Sequence, residues 1–243
     1  MTGSARREVA TTDLPGVWRR GILVEPDGRR DEASAVYWLQ ALTLYGDIRQ
    51  EGGADDQAQR MTAFAGRLSE RDGVFRWERT LVTPPADGPP DDGHLVWERE
   101  PEAGAGGILR EDGVHASYWE TWHRIAGPSA DDFAAELFEP VEGRRGFLVT
   151  IGGFAFFGVS AAPGGGTPAV ALRGEGPEGT IALSAGAPGW DFEADIPAGA
   201  WARTIHIAET DAHGHAIARD WCVAALEYPS ASAARQTLQG RTA

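Results

Sequence analysis

The sequence predicts an all-β fold, arranged as an antiparallel meander β-barrel. Short segments of alternating apolar and polar residues recur along the 243 residues, separated by turns rich in Gly, Pro and Asp. No long amphipathic helical pattern interrupts them. Six of the nine tryptophans lie between Trp18 and Trp122. The first half of the chain is therefore expected to carry an unusually aromatic core.

The segment from Gly16 to Gln50 organises the predicted sheet. It contains two long strands joined at a PDG turn, and it carries the aromatic residues Trp18, Tyr37 and Trp38. The alternation predicts further strands at 61–69, 74–83, 94–100, 107–110 and 116–125, with turns at 71–73 and 111–113 and a surface loop at 84–92.

A break follows at the GPS run of residues 127–129, and residues 131–136 are predicted to form one helical turn. Short strands then return at 147–151, 154–160, 169–173, 180–184, 190–196, 202–210 and 216–224. We expect a disordered leader over 1–13, a single barrel over 14–228 and a flexible tail over 229–243. The alternative is two smaller barrels divided near 127–132.

The triplet Gly16-Val17-Trp18 at the head of the first strand resembles the Gly-x-Trp opening of lipocalins and the wider calycin group. The resemblance implies that the tryptophan packs across the closed end of a barrel. It also implies that an arginine from a late strand stacks on this ring, with Arg203 and Arg219 as candidates.

Three runs, VYWLQ, LYGDIR and GVHASYWETWHR, also resemble an uncharacterised family of bacterial and fungal lipocalin-like proteins, best over residues 15–125. This resemblance implies a fold and brings no agreed activity, so it supplies no catalytic residues. The preference for Gly, Ala, Asp and Arg over Lys indicates a high-GC bacterial coding bias.

Composition excludes several classes of partner. The net charge of −14 and the pI of about 4.8 disfavour binding to nucleic acids and to anionic membranes. The first 13 residues lack the apolar core of a secretory signal, so we expect a cytoplasmic protein. The single cysteine, Cys222, excludes an internal disulfide and is expected to be a buried, inert thiol. The oligomeric state stays open.

Neither a metal nor another cofactor is expected. His213 and His215 could face one metal from a single strand, but their polar, Gly-containing context favours a surface turn. A late histidine that ligates haem is a weaker alternative. There is no Gly-x-Ser-x-Gly nucleophile elbow and no lysine-containing phosphate loop.

Ionisable residues among the aromatics form the main candidate site. By alternation, Asp47 and Arg49 share a face with Tyr45, and Glu120 shares a face with both Tyr118 and Trp122. The remaining candidates, His115 and His123, fall on the face opposite Glu120. Only one of these two faces can line a barrel lumen, and one sequence leaves open which does.

Two functions are expected ahead of a third. The first is binding of a small, largely apolar molecule in an aromatic-lined cavity, with the candidate ligand-binding residues Trp38, Gln40, Tyr45, Trp77, Trp97, Glu98 and Trp122. The alternative is a cofactor-independent cyclase, isomerase or lyase that uses acid–base groups in the same cavity, with the candidate catalytic residues Glu120, His123, His115, Asp47, Arg49 and Tyr118. The third possibility is a structural protein with a filled core.

Overall fold

The computed structural model describes residues 7–52, 60–84, 90–101, 106–177, 179–186, 190–195, 204–210 and 213–229. These residues confirm the all-β prediction, since the fold consists of antiparallel strands. The one helical element among them is the 3-10 turn Thr11–Asp13. The strands form two sheets, of nine and eight strands.

The first sheet closes into a barrel because its last strand pairs with its first. Its strands are β1 (Gly16–Val24), β2 (Arg30–Asp31), β3 (Ala35–Gln40), β4 (Leu44–Gln50), β5 (Met61–Arg71), β6 (Val74–Thr83), β7 (Asp91–Arg99), β8 (Ile108–Gly113) and β9 (Trp119–Ala126). Apart from the short β2, each strand pairs with the next strand along the chain, as expected for a meander.

The second sheet repeats this scheme with β10 (Phe133–Glu139), β11 (Arg144–Ile151), β12 (Phe154–Val159), β13 (Ala169–Gly176), β14 (Gly179–Ala185), β15 (Asp191–Asp195), β16 (Thr204–Thr210) and β17 (Ala216–Glu227). Its last strand again pairs with its first, β17 with β10. Within the described residues β14 and β15 are not paired, so this second barrel is nearly closed.

Several sequence predictions need correction. We expected one barrel over 14–228, whereas the described strands form two sheets, and the change between them falls between Ala126 and Phe133, at the alternative boundary. We expected a helical turn over residues 131–136, whereas residues 133–136 belong to strand β10. Residues 111–113 belong to strand β8 rather than to a turn.

The N-terminal end of the chain also departs from expectation in its described part. Residues 7–13 were expected in a disordered leader, yet Glu8 bridges Val96 of β7 and Arg7 forms an ion pair with Asp13. Residues 1–6 and 230–243 lie outside the described residues.

The two barrels pack against each other through an apolar layer. The outward faces of β3, β4 and β5 supply Leu39, Ile48 and Ala63, and strands of the second sheet supply Phe154 and Phe156 among others. A Cβ on Gly46 would lie 2.4 Å from the ring of Phe156. Only glycine lets the ring approach this closely. Both faces of β4 are consequently buried.

Candidate functional site

One half of the first barrel is filled by tryptophans. The ring of Trp38 lies 5.8 Å from Trp18, 5.7 Å from Trp77 and 5.5 Å from Trp122, measured between centroids. Trp97 joins them at 6.3 Å from Trp18. The side chain of Gln40 accepts a hydrogen bond from Trp38 Nε1 at 3.0 Å. These rings pack on one another in the aromatic half of the lumen.

Trp18 closes this end of the barrel, and an arginine covers it. The Trp18 Nε1–H donates to the carbonyl of Leu14 at 2.8 Å, and the guanidinium of Arg124 lies 4.5 Å from the ring centroid. The backbone of Gly16 is close enough to this arginine that a Cβ would lie 3.3 Å from Arg124 Nε. The Gly-x-Trp triplet and an arginine therefore meet at this end of the barrel.

The arginine itself differs from both sequence candidates. Arg124 belongs to β9, which pairs with β1 and sets Arg124 directly opposite Trp18. Arg219 lies in the second sheet, where it pairs with Glu142 at 2.9 Å. Arg203 lies outside the described residues.

The other half of the lumen is charged. Arg49 Nε donates to Asp47 at 2.7 Å, and Arg20 lies 3.5 Å from Glu120. Glu111 is held by two donors: the Tyr118 hydroxyl at 2.9 Å and the Trp122 indole N–H at 3.0 Å. The sheet register sets Glu111 directly opposite Glu120. Two inward carboxyl groups therefore face each other across neighbouring strands.

Burial shifts the protonation of these acids. It raises the pKa of Glu111 well above its ordinary value, and the charges of Glu120 and Asp91 add to the effect. Burial also raises the pKa of Glu120, although the guanidiniums of Arg49 and Arg20 oppose it. Such neighbouring carboxyl groups share protons instead of ionising together.

Asp47 and the tyrosines are shifted in the same direction. Burial raises the pKa of Asp47, against the pull of Arg49. Burial, followed by the charge of Glu111, raises the pKa of Tyr118. The Tyr45 hydroxyl is buried without a hydrogen-bond partner among the described residues, and burial raises its pKa as well.

The charged half contains little space but opens outward. The void between the tryptophans and the carboxyl groups measures about 10 Å³, which fits about one water molecule. A groove of about 550 Å³ lies outside this half and is lined by both Arg20 and Arg49. Other residues of the groove include Glu25, Arg30, Asp31, Glu51 and Thr62.

The structure brings most of the site candidates together. Buried in the lumen are Tyr45, Asp47, Trp38, Gln40, Trp77, Trp97, Glu120 and Trp122, with Arg49 and Tyr118 at its edge. Glu98 is exposed, because the alternation that turns Trp97 inward turns its neighbour outward.

The two histidines lie apart from this cluster. His115 precedes β9 rather than lying on it, and its Nε2 lies 2.9 Å from Asp92 on the outside of the barrel. His123 is on β9 but faces outward, opposite in sense to Glu120, as the alternation predicted. It lines a separate cleft.

Sequence reasoning missed three charged residues of the lumen. Glu111 was assigned to a turn, and Asp91, which pairs with Arg79 at 2.5 Å, fell in a predicted loop. Arg20 was read only as part of a strand. The alternation of Leu109 and Glu111 was the available signal, and the EDG run masked it.

The remaining candidates for chemistry lie on the surface. His213 and His215 are exposed, and among the described residues no group of three His, Cys, Asp or Glu side chains could hold a metal ion. Cys222 is exposed, contrary to the expectation of a buried thiol, because its neighbour Trp221 takes the inward position. Among the residues that the structure describes, no helix has the length and apolar character needed to cross a bilayer.

Comparison with known proteins identifies the fold. Neither the protein-family models nor the curated proteins give a match to this chain. The solved structure of an uncharacterized protein of Saccharomyces cerevisiae, YLR301w, matches over 88% of this chain and 99% of its own, with a TM-score of 0.55 and 13% sequence identity. At this identity the likeness shows a shared fold alone.

Proposed function

We propose that the first barrel binds a small polar molecule at its charged mouth. The observation that carries the proposal is that Arg20 and Arg49 line the outer groove and also reach the buried carboxyl groups, Arg20 at Glu120 and Arg49 at Asp47. A molecule in the groove would therefore contact the same guanidiniums that hold the buried acids.

The lumen itself favours this ligand over the apolar one expected from the sequence. The tryptophans pack on one another, and the void of about 10 Å³ is far smaller than the about 300 Å³ at which ligand pockets begin. The groove meets that size, and four carboxylates line it against three guanidiniums: Glu25, Asp31, Glu32 and Glu51 with Arg20, Arg30 and Arg49. This excess of acceptors favours a ligand rich in hydroxyl or amino donors.

The cost of the buried charges supports a functional role. A buried ion pair seldom stabilises a fold more than apolar residues of the same volume would. Groups with shifted pKa values that lie beside a groove mark candidate functional sites. We include in the proposal a calycin-like character of the first barrel, supported by its closed meander and by the Trp18–Arg124 contact.

The second candidate is acid–base catalysis without a cofactor in the same place. It is favoured by the facing pair Glu111 and Glu120, because one protonated and one ionised carboxyl group can donate and accept a proton in turn. Arg49, between this pair and the groove, would stabilise developing negative charge. Glu120→Gln should then leave ligand affinity within about threefold while it stops conversion of the ligand, followed by one-dimensional NMR of the small molecule.

Native mass spectrometry of the purified chain tests the binding proposal, with glucose, glucosamine and putrescine as donor-rich probes and a medium-chain fatty acid as the apolar probe. We expect a stoichiometric complex with at least one donor-rich probe. Thr62→Trp, which fills the groove, and Glu51→Gln, which removes an acceptor, should weaken it at least tenfold. Arg29→Gln, an exposed arginine outside the groove, is the control.

Three outcomes would contradict the proposal. Binding of the fatty acid alone would restore the apolar ligand expected from the sequence. Binding that is unchanged by both groove variants would place the ligand elsewhere. No complex with any probe would favour a structural role for the filled barrel.

A further inference from the structure

A second cleft lies outside the first barrel, on the face turned toward the β13–β14 hairpin. It has a volume of about 330 Å³, which is within the range of ligand pockets. The barrel side supplies residues of β1, β3 and β9, and the second sheet supplies Pro177 and Ile181. Clefts between two packed units are a preferred place for small-molecule sites.

Three donor side chains form a row across the barrel side of this cleft. The register sets Arg19 directly opposite Tyr37 on one side and directly opposite His123 on the other. Directly opposed side chains on one face of a sheet lie about 5 Å apart at Cβ. A guanidinium therefore stands between a phenol and an imidazole, all on the outward face.

A β-bulge shapes the row. In the pairing of β1 with β9, Arg20 pairs with Trp122 and Ile22 pairs with Thr121, so Gly21 is the extra residue. A Cβ on Gly21 would lie 2.6 Å from His123 Nε2, so the imidazole rests against bare backbone. Bulges of this kind often redirect a side chain beside a site.

Charges of both signs lie around the row. Partial burial lowers the pKa of His123, and the guanidiniums of Arg99 and then Arg19 lower it further, with only Glu98 opposing them. The imidazole is thus neutral at pH 7 and can donate one hydrogen bond. Glu32, the carboxylate at the rim, is held by Arg30 at 3.1 Å.

The opposite wall is apolar. Ile181 and Pro177 project from the second sheet, and Ile125 continues the wall on β9. We propose that this cleft binds a small organic carboxylate, with its carboxylate on the Arg19–His123 row and its apolar body between Ile125 and Ile181. The site is separate in chemistry from the donor-rich ligand proposed for the barrel mouth, although Arg20 and Glu32 border both.

Proton and methyl NMR of the full chain tests this site, with benzoate and hexanoate as probes and the uncharged benzamide as the matched comparison. We expect saturable shifts of the His123 imidazole and the Ile181 methyl signals with the acids, and at least tenfold weaker binding of benzamide. Arg19→Gln should weaken benzoate at least tenfold, and Ile181→Trp, which fills the cleft, should abolish binding. His94→Ala on β7 is the control, and Thr62→Trp at the barrel mouth should leave benzoate binding unchanged.

Equal binding of benzamide and benzoate would overturn the assignment of an anion. Unshifted His123 and Ile181 signals at millimolar acid would overturn the site, as would unchanged affinity in both cleft variants. Each variant is first compared with the parent chain by its tryptophan emission, so that a loss of fold is separated from a loss of binding. If Thr62→Trp abolished benzoate binding, benzoate would bind at the barrel mouth, and the proposal of a separate site would be refuted.

Discussion

Replacing Glu111 by glutamine should stabilise the protein at pH values above the ordinary pKa of a glutamate. In the native barrel burial and the neighbouring acids raise the pKa of this carboxyl group well above the ordinary 4.5, so it keeps its proton at pH values where the unfolded chain has lost it. Glutamine has the same shape and stays neutral. Its oxygen can accept from Trp122, and its amide can donate to the Tyr118 hydroxyl, so both contacts of the site are kept.

The magnitude follows from proton linkage. Above pH 4.5 an unfolded chain has released the Glu111 proton, while the native chain still holds it. The free energy of unfolding then falls by about 1.4 kcal/mol per pH unit through this group, until the pH passes its native pKa. The glutamine variant lacks this loss, so its advantage over the parent should grow by about 1.4 kcal/mol per pH unit from pH 5 upward.

Urea unfolding followed by tryptophan emission, repeated between pH 5 and pH 8, measures the difference. Glu98→Gln is the matched control, because Glu98 is an exposed carboxylate on the same barrel and should show a flat difference. A difference that stays constant with pH for Glu111→Gln would refute the reasoning, since it would mean that native Glu111 is ionised.

Three further changes test the packing around the site. Trp18→Ala should lower the free energy of unfolding by about 3–5 kcal/mol in urea, because it empties the ring position under Arg124. Asp92→Asn should lower the free energy of unfolding by about 2 kcal/mol at pH 7 and leave it unchanged near pH 1. Arg76 leads the groups that hold the Asp92 pKa at about 2, and the stability that they provide is lost as the pH falls through that value. Glu227→Gln should lower the free energy of unfolding by about 1–3 kcal/mol, because it weakens the hydrogen bonds that the Glu227 carboxylate accepts from the β3–β4 turn of the other barrel. A lower thermal midpoint would show this loss.

Much of the fold could be predicted because strand alternation is local. The turn-forming residues and the period-two pattern identified most strands of both sheets, and they set Asp47 and Glu120 on the correct relative faces. Which face lines the lumen could not be predicted. The outward residues Leu39 and Ile48 are as buried as the inward ones, because they pack on the second sheet, so burial does not alternate along these strands.

The partners within the site depend on closure of the barrel. Trp18 meets Arg124 only because β9 returns to β1, a pairing of residues that are more than one hundred positions apart. Glu111 was not predicted as a lumen residue for a different reason. Its EDG context has the composition of a turn, but β8 continues through Gly113, and the chain turns only after it. Local composition and long-range pairing compete at such positions, and here the pairing prevails.

The second barrel provides an internal comparison for the proposed function. Its strands follow the same meander order, and its buried Arg144 pairs with Glu209 at 2.8 Å and lies 5.3 Å from the Trp221 ring. The other buried carboxylates of this half, Asp132 and Glu139, accept hydrogen bonds from backbone N–H groups. Such an arrangement is compatible with a filled, structural core. In the first barrel the carboxyl groups Asp47, Asp91, Glu111 and Glu120 outnumber the guanidiniums of Arg20, Arg49 and Arg79.

Burying more carboxyl groups than guanidiniums costs stability, because a buried charge without a partner must be desolvated or neutralised. Burial raises the pKa of both Glu111 and Glu120, which favours a protonated carboxyl group that a polar ligand or substrate can use and an apolar ligand cannot. The Glu111→Gln variant distinguishes whether the ligand depends on the protonated acid or contacts only the groove. If it gains stability and also loses binding of the donor-rich probe, the protonated acid serves the ligand. If it gains stability and keeps binding, the ligand contacts only the groove.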